Sequence, residues 1–123
     1  MTATVLVIED NPANMRLAVF LLENAGYTVL KDTDAEAGLA TARASRPDLI
    51  LMDIQLPGMD GLAAITQLKQ DDVTRTIPVI ALTALAMKGD EERIRAGGFD
   101  GYIGKPMRYK EFLDAVEAQV GAH

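Results

Sequence analysis

Glu9 and Asp10 close one short apolar run of this sequence, Asp53 closes a second, Thr83 closes a third, and Lys105 follows the last such stretch. Three carboxylates gathered in one partly dry place raise one another's pKa unless a cation compensates. An all-oxygen donor set suits a hard divalent ion, and Mg²⁺ in particular needs only one or two direct carboxylates and shares its other positions with water or phosphate. Asp53 would be a carboxylate nucleophile, Lys105 a positive charge for a bound anion, and Thr83 a hydroxyl donor to an anion's oxygen. Taken singly, each residue has an ordinary reading. Acidic pairs are common in solvated turns, a lysine before proline is most often a surface lysine, and threonine is a favoured strand residue. Asp53 tips the balance, because it ends a continuous apolar run and precedes the turn residues Pro57-Gly58. Pro106 directly after Lys105 invites a cis peptide that would fix where the lysine points.

The elements that must hold these residues can be read from periodicity. Val5-Leu6-Val7-Ile8, Leu49-Ile50-Leu51-Met52 and Val79-Ile80-Ala81-Leu82 are unbroken apolar runs, the pattern of strands covered by helices on both faces. Tyr27-Thr28-Val29-Leu30 and Tyr102-Ile103 are weaker strands. Asn11 as N-cap and Pro12 at the first helical position open a helix whose Met15, Ala18, Val19 and Leu22 share a face, and Gly26 ends it. Further helices are expected over about Asp34 to Ser45, Leu62 to Lys69 and Met87 to Ala96. A last one carries the apolar stripe Tyr109, Phe112, Leu113, Val116 and Val120. Strand and helix alternate five times. That order predicts an α/β fold of the flavodoxin-like (βα)5 kind, a doubly wound parallel sheet in strand order 2-1-3-4-5. Ligands in such a sheet bind beyond the carboxyl ends of the strands, where the order reverses, which is where the candidate residues fall.

Composition removes several classes of function. The 123 residues fit one domain, expected to occupy 1–123 with no output domain, and cysteine is absent. A net charge of −6 disfavours nucleic acid, and no apolar stretch approaches a membrane span, so a cytoplasmic protein bound neither to nucleic acid nor to membrane is expected.

With these residues in place, the sequence resembles the receiver domains of two-component response regulators, the CheY-like superfamily, over essentially its whole length. The resemblance rests on Glu9-Asp10, on Asp53-Ile54-Gln55-Leu56-Pro57-Gly58-Met59-Asp60-Gly61, on Thr83-Ala84 and on Lys105-Pro106. The run Ala84-Leu85-Ala86-Met87-Lys88-Gly89-Asp90-Glu91-Glu92-Arg93-Ile94 is similar to single-domain regulators of the DivK type, which act in bacterial cell-cycle and polarity signalling. The resemblance implies a phosphoacceptor role for Asp53. It also implies Mg²⁺ held by Asp10 and Asp53, by Glu9 through water, and by the backbone carbonyl of Gln55. Lys105 would pair with the phosphoryl group, Thr83 would move to bind it, and Tyr102 would turn into the space Thr83 vacates. The implied partners are a sensor histidine kinase or histidine phosphotransfer protein and a downstream protein target. The glycine-rich approach to Lys105, with Gly97, Gly98, Gly101 and Gly104, departs from the pattern of many receivers.

Three other readings can be weighed on residues. An aspartyl-nucleophile phosphatase of the haloacid-dehalogenase type places a second Asp two residues after the nucleophile as general acid, and here that residue is Gln55. A flavin or nucleotide carrier would need a glycine-rich cradle that Asp10-Asn11-Pro12-Ala13-Asn14 lacks. A receiver-like binding module that is never phosphorylated would have no need of the full set of charged and hydroxyl groups.

Overall fold

A computed structural model describes residues 3–56, 58–59, 61–84, 88–105 and 107–120, excepting the side chains of 88–91. The expectations placed on Pro57, Asp60, Leu85, Met87 and Pro106 lie outside the described residues. Five strands alternate with five helices: β1 (Thr4–Ile8), α1 (Pro12–Asn24), β2 (Thr28–Asp32), α2 (Ala35–Ser45), β3 (Leu49–Asp53), α3 (Gly61–Gln70), β4 (Val79–Thr83), α4 (Lys88–Ala96), β5 (Gly101–Gly104) and α5 (Tyr109–Val120). The strands form one parallel sheet in the order β2-β1-β3-β4-β5, as the alternation predicts.

The apolar runs divide by the period of two that a strand imposes. Leu6, Ile8, Ile50, Met52, Val79 and Ala81 face one side, where Ala42, Ile65 and Ile94 from α2, α3 and α4 cover them. Val5, Val7, Leu49, Leu51, Ile80 and Leu82 face the other, under Leu22 of α1 and Phe112 of α5. Each fully buried Leu, Ile or Val contributes about 1.5–3 kcal/mol, so β1, β3 and β4 anchor the sheet. The edge strand β2 has no fully buried residue and contributes less. It also ends later than its apolar run. Pairing continues through Val7↔Lys31 and Ile8↔Asp32, because an edge strand can turn a polar side chain such as Lys31 to solvent while its backbone stays in the ladder.

Local signals set the helix ends. The Asn11 side chain accepts from the N–H groups of Ala13 and Asn14 at 2.9 and 3.0 Å, and Asp34 caps α2 by accepting from Ala37 at 2.8 Å. Gly26, at φ 97°, turns the chain from α1 into β2. A different device holds the sheet's far side. Asp100 receives the Val79 N–H on its carboxylate and donates its own N–H to the Val79 carbonyl, both at 2.8 Å, while Lys69 of α3 donates to the Ile77 carbonyl at 3.1 Å. The entry to β4 is thereby tied to α3 and to the turn before β5.

Asp71, after α3, accepts from the Val73 N–H at 2.9 Å and pairs with Arg43 of α2. The Val73 N–H chiefly, with the Arg43 guanidinium, holds its carboxyl below the usual range despite the opposing effect of burial. A depressed carboxyl stabilises the fold above its unfolded pKa, and that contribution is lost as pH falls through the lower folded value. Asp71→Asn is therefore expected to lower the denaturation midpoint modestly at neutral pH and to flatten its decline below about pH 4. Parallel acid-side declines in denaturant titrations of the two proteins would contradict this.

Candidate functional site

The register of the sheet builds the site. Ile8 of β1 stands opposite Met52 of β3, so Glu9 and Asp53, each the next residue along, emerge side by side at the carboxyl ends of neighbouring strands. One carboxylate oxygen from each of Glu9, Asp10 and Asp53 lies within 4.8 Å of the others. The three differ in setting: Glu9 is completely buried, Asp53 is 5 % exposed, and Asp10 faces solvent. One side of the cluster is dry and the other open.

Hydrogen bonds fix the buried pair. Glu9 Oε1 accepts the Asn11 N–H at 3.1 Å, so the turn that starts α1 also holds the glutamate. Asp53 Oδ1 accepts the Gln55 N–H at 2.9 Å, and Oδ2 accepts from Lys105 Nζ at 2.7 Å. The same ammonium stands 3.0 Å from Glu9 Oε2 as an ion pair. No hydrogen bond of good geometry reaches that buried oxygen from the described residues, which leaves it a lone pair to offer. Burial pushes the Glu9 carboxyl above the usual range; the Asp53 carboxylate beside it pushes the same way, against the Lys105 ammonium and the Asn11 N–H. For Lys105, burial alone would lower the pKa, but the hydrogen bond to Asp53 and the ion pair with Glu9 outweigh it and the ammonium holds its proton more firmly than usual.

Lys105 is placed by the sheet as well. Its N–H donates to the Thr83 carbonyl at 2.8 Å, continuing the ladder in which Thr83 pairs with Gly104. Thr83 is buried at the end of β4. It shares a face with Ala81, two residues earlier, and Ala81 pairs with Tyr102. Tyr102 is half-buried against the core on that same face. Thr83 and Tyr102 are thus on one side of adjacent strands, with the threonine nearer the acidic cluster. Gln55 is exposed beside Asp53.

Glu9, Asp10, Asp53, Gln55, Thr83 and Lys105 therefore lie at the carboxyl end of the sheet, with Tyr102 further back, level with Ala81. Two features had no sequence signal: the pairing of Lys105 with Glu9 as well as with Asp53, and the use of Asn11's backbone to hold Glu9. The donor set fits Mg²⁺. It is all oxygen, carries three carboxylates against one ammonium, and includes a buried oxygen with an open lone pair.

Comparison with known proteins agrees with this geometry. Residues 5–117 match the response regulator receiver domain family. The chain is 49 % identical over 121 residues to the polar-differentiation response regulator DivK of Brucella anthropi, spanning 98 % of each protein. It is 48 % identical over the same length to DivK of Brucella ovis. Among solved structures, the receiver domain of a sensor histidine kinase from Pseudomonas aeruginosa, with a magnesium ion coordinated in its active-site cleft, superposes with a TM-score of 0.91. That domain is 33 % identical, and the match covers 99 % of this chain and 100 % of the other.

Proposed function

The chain belongs to the response regulator receiver family, and from that premise we propose that it accepts a phosphoryl group on Asp53 and passes the signal to a protein target by a change of shape. The observation that carries this reading is the convergence of Glu9, Asp10 and Asp53 within 4.8 Å, with Lys105 seated on Asp53.

The donor is a phosphohistidine on a sensor kinase or phosphotransfer protein. A bond forms between an Asp53 carboxylate oxygen and phosphorus as the P–N bond to the donor's imidazole breaks, and that bond's electrons stay on the imidazole nitrogen. Bound Mg²⁺ would neutralise charge on the transferring oxygens. Asp10 and Asp53 would hold it directly, Glu9 through water, and Gln55 through its carbonyl. The protein's own part is positioning. The Gln55 N–H orients the Asp53 carboxylate, and Lys105, already at hydrogen-bonding distance, follows the negative charge from carboxylate to phosphoryl group. Thr83 then reaches for a phosphoryl oxygen and Tyr102 takes up the space it leaves. This biases α4, for which Ile94 is the buried apolar anchor among the described side chains.

The relatives are spanned almost end to end, which supports DivK-like polarity signalling. No helix among the described residues is long and apolar enough to cross a membrane, and the acidic charge does not suit nucleic acid, so the proposed setting is the cytoplasm with proteins as partners. Apart from its own phosphorylation and dephosphorylation, the protein would turn over no substrate.

Phosphotransfer from a panel of purified histidine kinases tests the reading. At least one kinase is expected to label the protein, and excess EDTA, added once the kinase is charged, to slow transfer by at least about a hundredfold, since a metal supplies several kcal/mol of charge stabilisation. Failure of every kinase would overturn the function, and undiminished transfer in EDTA would overturn the metal requirement.

A further inference from the structure

We infer that Gly61 is a positioning residue for the metal pocket: its missing side chain lets the first turn of α3 sit directly on the Asp53–Ile54 backbone and so sets how Asp53 and the Gln55 carbonyl are presented. The inference rests on the metal-site reading above and deepens it. Gly61 is buried, and its N–H donates to the Ile54 carbonyl at 2.7 Å. A Cβ at this position would stand 2.7 Å from Ile54 Cα and 3.0 Å from the Asp53 carbonyl oxygen. Both are backbone atoms, so no side-chain rotation could relieve the overlap. Among the described residues the glycines with positive φ are Gly26, Gly58 and Gly98, so what Gly61 must supply is space and not an unusual backbone angle.

The segment under Gly61 has little freedom to yield. On its other side, the Ile54 N–H donates to the Leu82 carbonyl of β4 at 3.2 Å. Backbone displaced here would move the next residue, Gln55, whose N–H holds Asp53 Oδ1 at 2.9 Å. A single methyl group at position 61 would therefore disturb both the nucleophile's orientation and the proposed carbonyl ligand, without removing any donor atom. Gly97 offers a contrast. A Cβ there would meet the end of the flexible Leu62 side chain at 3.1 Å, and the nearest backbone atom only at 3.4 Å.

The test is Mg²⁺ binding itself, measured by calorimetry on the wild-type chain, Gly61→Ala and Gly97→Ala, with circular dichroism to establish that each is folded. Gly61→Ala is expected to weaken the Mg²⁺ dissociation constant about tenfold or more, the scale seen when groups that orient metal ligands are altered. Gly97→Ala should stay within about twofold of wild type, since it shares the added methyl but not the contact. A folded Gly61→Ala with wild-type affinity, or an equal loss in Gly97→Ala, would overturn the inference. A second measurement needs no variant. If seating of Gly61 favours the metal, the metal must favour the seating. Saturating Mg²⁺ is thus expected to slow hydrogen exchange of the Gly61 amide in the wild-type chain, and an unchanged rate would overturn the inference even if Gly61→Ala did not fold. Absence of Mg²⁺ binding by the wild-type chain would instead overturn the metal-site reading beneath it.

Discussion

Asp53→Asn is expected to fold normally and to take no label from a charged histidine kinase. The amide has nearly the shape of the carboxylate but is neutral and a poor nucleophile, so transfer should fall by more than about a thousandfold. Stability should change little. The substitution removes the negative charge bonded to Lys105 at 2.7 Å, but it also removes a like-charged neighbour that helps raise Glu9, and Lys105 keeps Glu9 as its partner at 3.0 Å. These effects oppose each other, and a melting temperature within about 5 °C of wild type is expected. Kinase labelling and a thermal melt of the same preparation check both halves. Undiminished label on the folded variant would place the phosphoacceptor elsewhere and remove the basis of the proposed mechanism.

Lys105→Ala should have a more divided effect. The ammonium is the counter-ion of a carboxylate with no solvent exposure, and its own side chain is only 15 % exposed. Removing one partner of a buried pair leaves the other charge uncompensated, at a cost of about 1–3 kcal/mol for a pocket that opens to water on the Asp10 side. The loss should depend on pH in a definite direction. Glu9 already holds its proton more tightly than a free glutamate because it is buried, and without Lys105 it should do so more strongly. The folded state then binds more protons than the unfolded chain between the ordinary carboxylate pKa and the raised one, so stability falls as pH rises through that window. Mg²⁺ should restore much of the loss, because it binds the folded pocket and not the unfolded chain. The variant is thus expected to unfold at lower denaturant than wild type at neutral pH without metal, to approach wild type in Mg²⁺, and to respond weakly to phosphorylation in target binding. Denaturant titrations with and without Mg²⁺ decide the first two points. Wild-type stability without metal at neutral pH would show that Lys105 does not carry the compensating charge.

Much of this was legible before any coordinates. Unbroken apolar runs at Val5–Ile8, Leu49–Met52 and Val79–Leu82 announced buried parallel strands. Asn11 with Pro12 announced the start of α1, because caps are chemical arrangements completed within a few residues. Alternation of these elements left few allowed topologies, and the strand order placed the tips of β1 and β3 together. Hence Glu9, Asp10, Asp53, Thr83 and Lys105 could be named as candidates from types and positions, whereas Gln55 and Tyr102 entered only through the family resemblance. Where the sequence was weak, the reason is also physical: β2 is an edge strand, and its extension through Lys31 and Asp32 comes from pairing with β1 and not from its own polarity.

Tertiary structure decided the rest. That Lys105 bridges Glu9 and Asp53, and that Gly61 presses on the Asp53–Ile54 peptide, depend on how strand ends, loops and helices are seated against one another. A period or a cap is set by neighbours a few residues away and is therefore written locally. The distance between an ammonium and a carboxylate, or between two backbones, is set by sheet register and helix seating, which exist only once the whole core has packed.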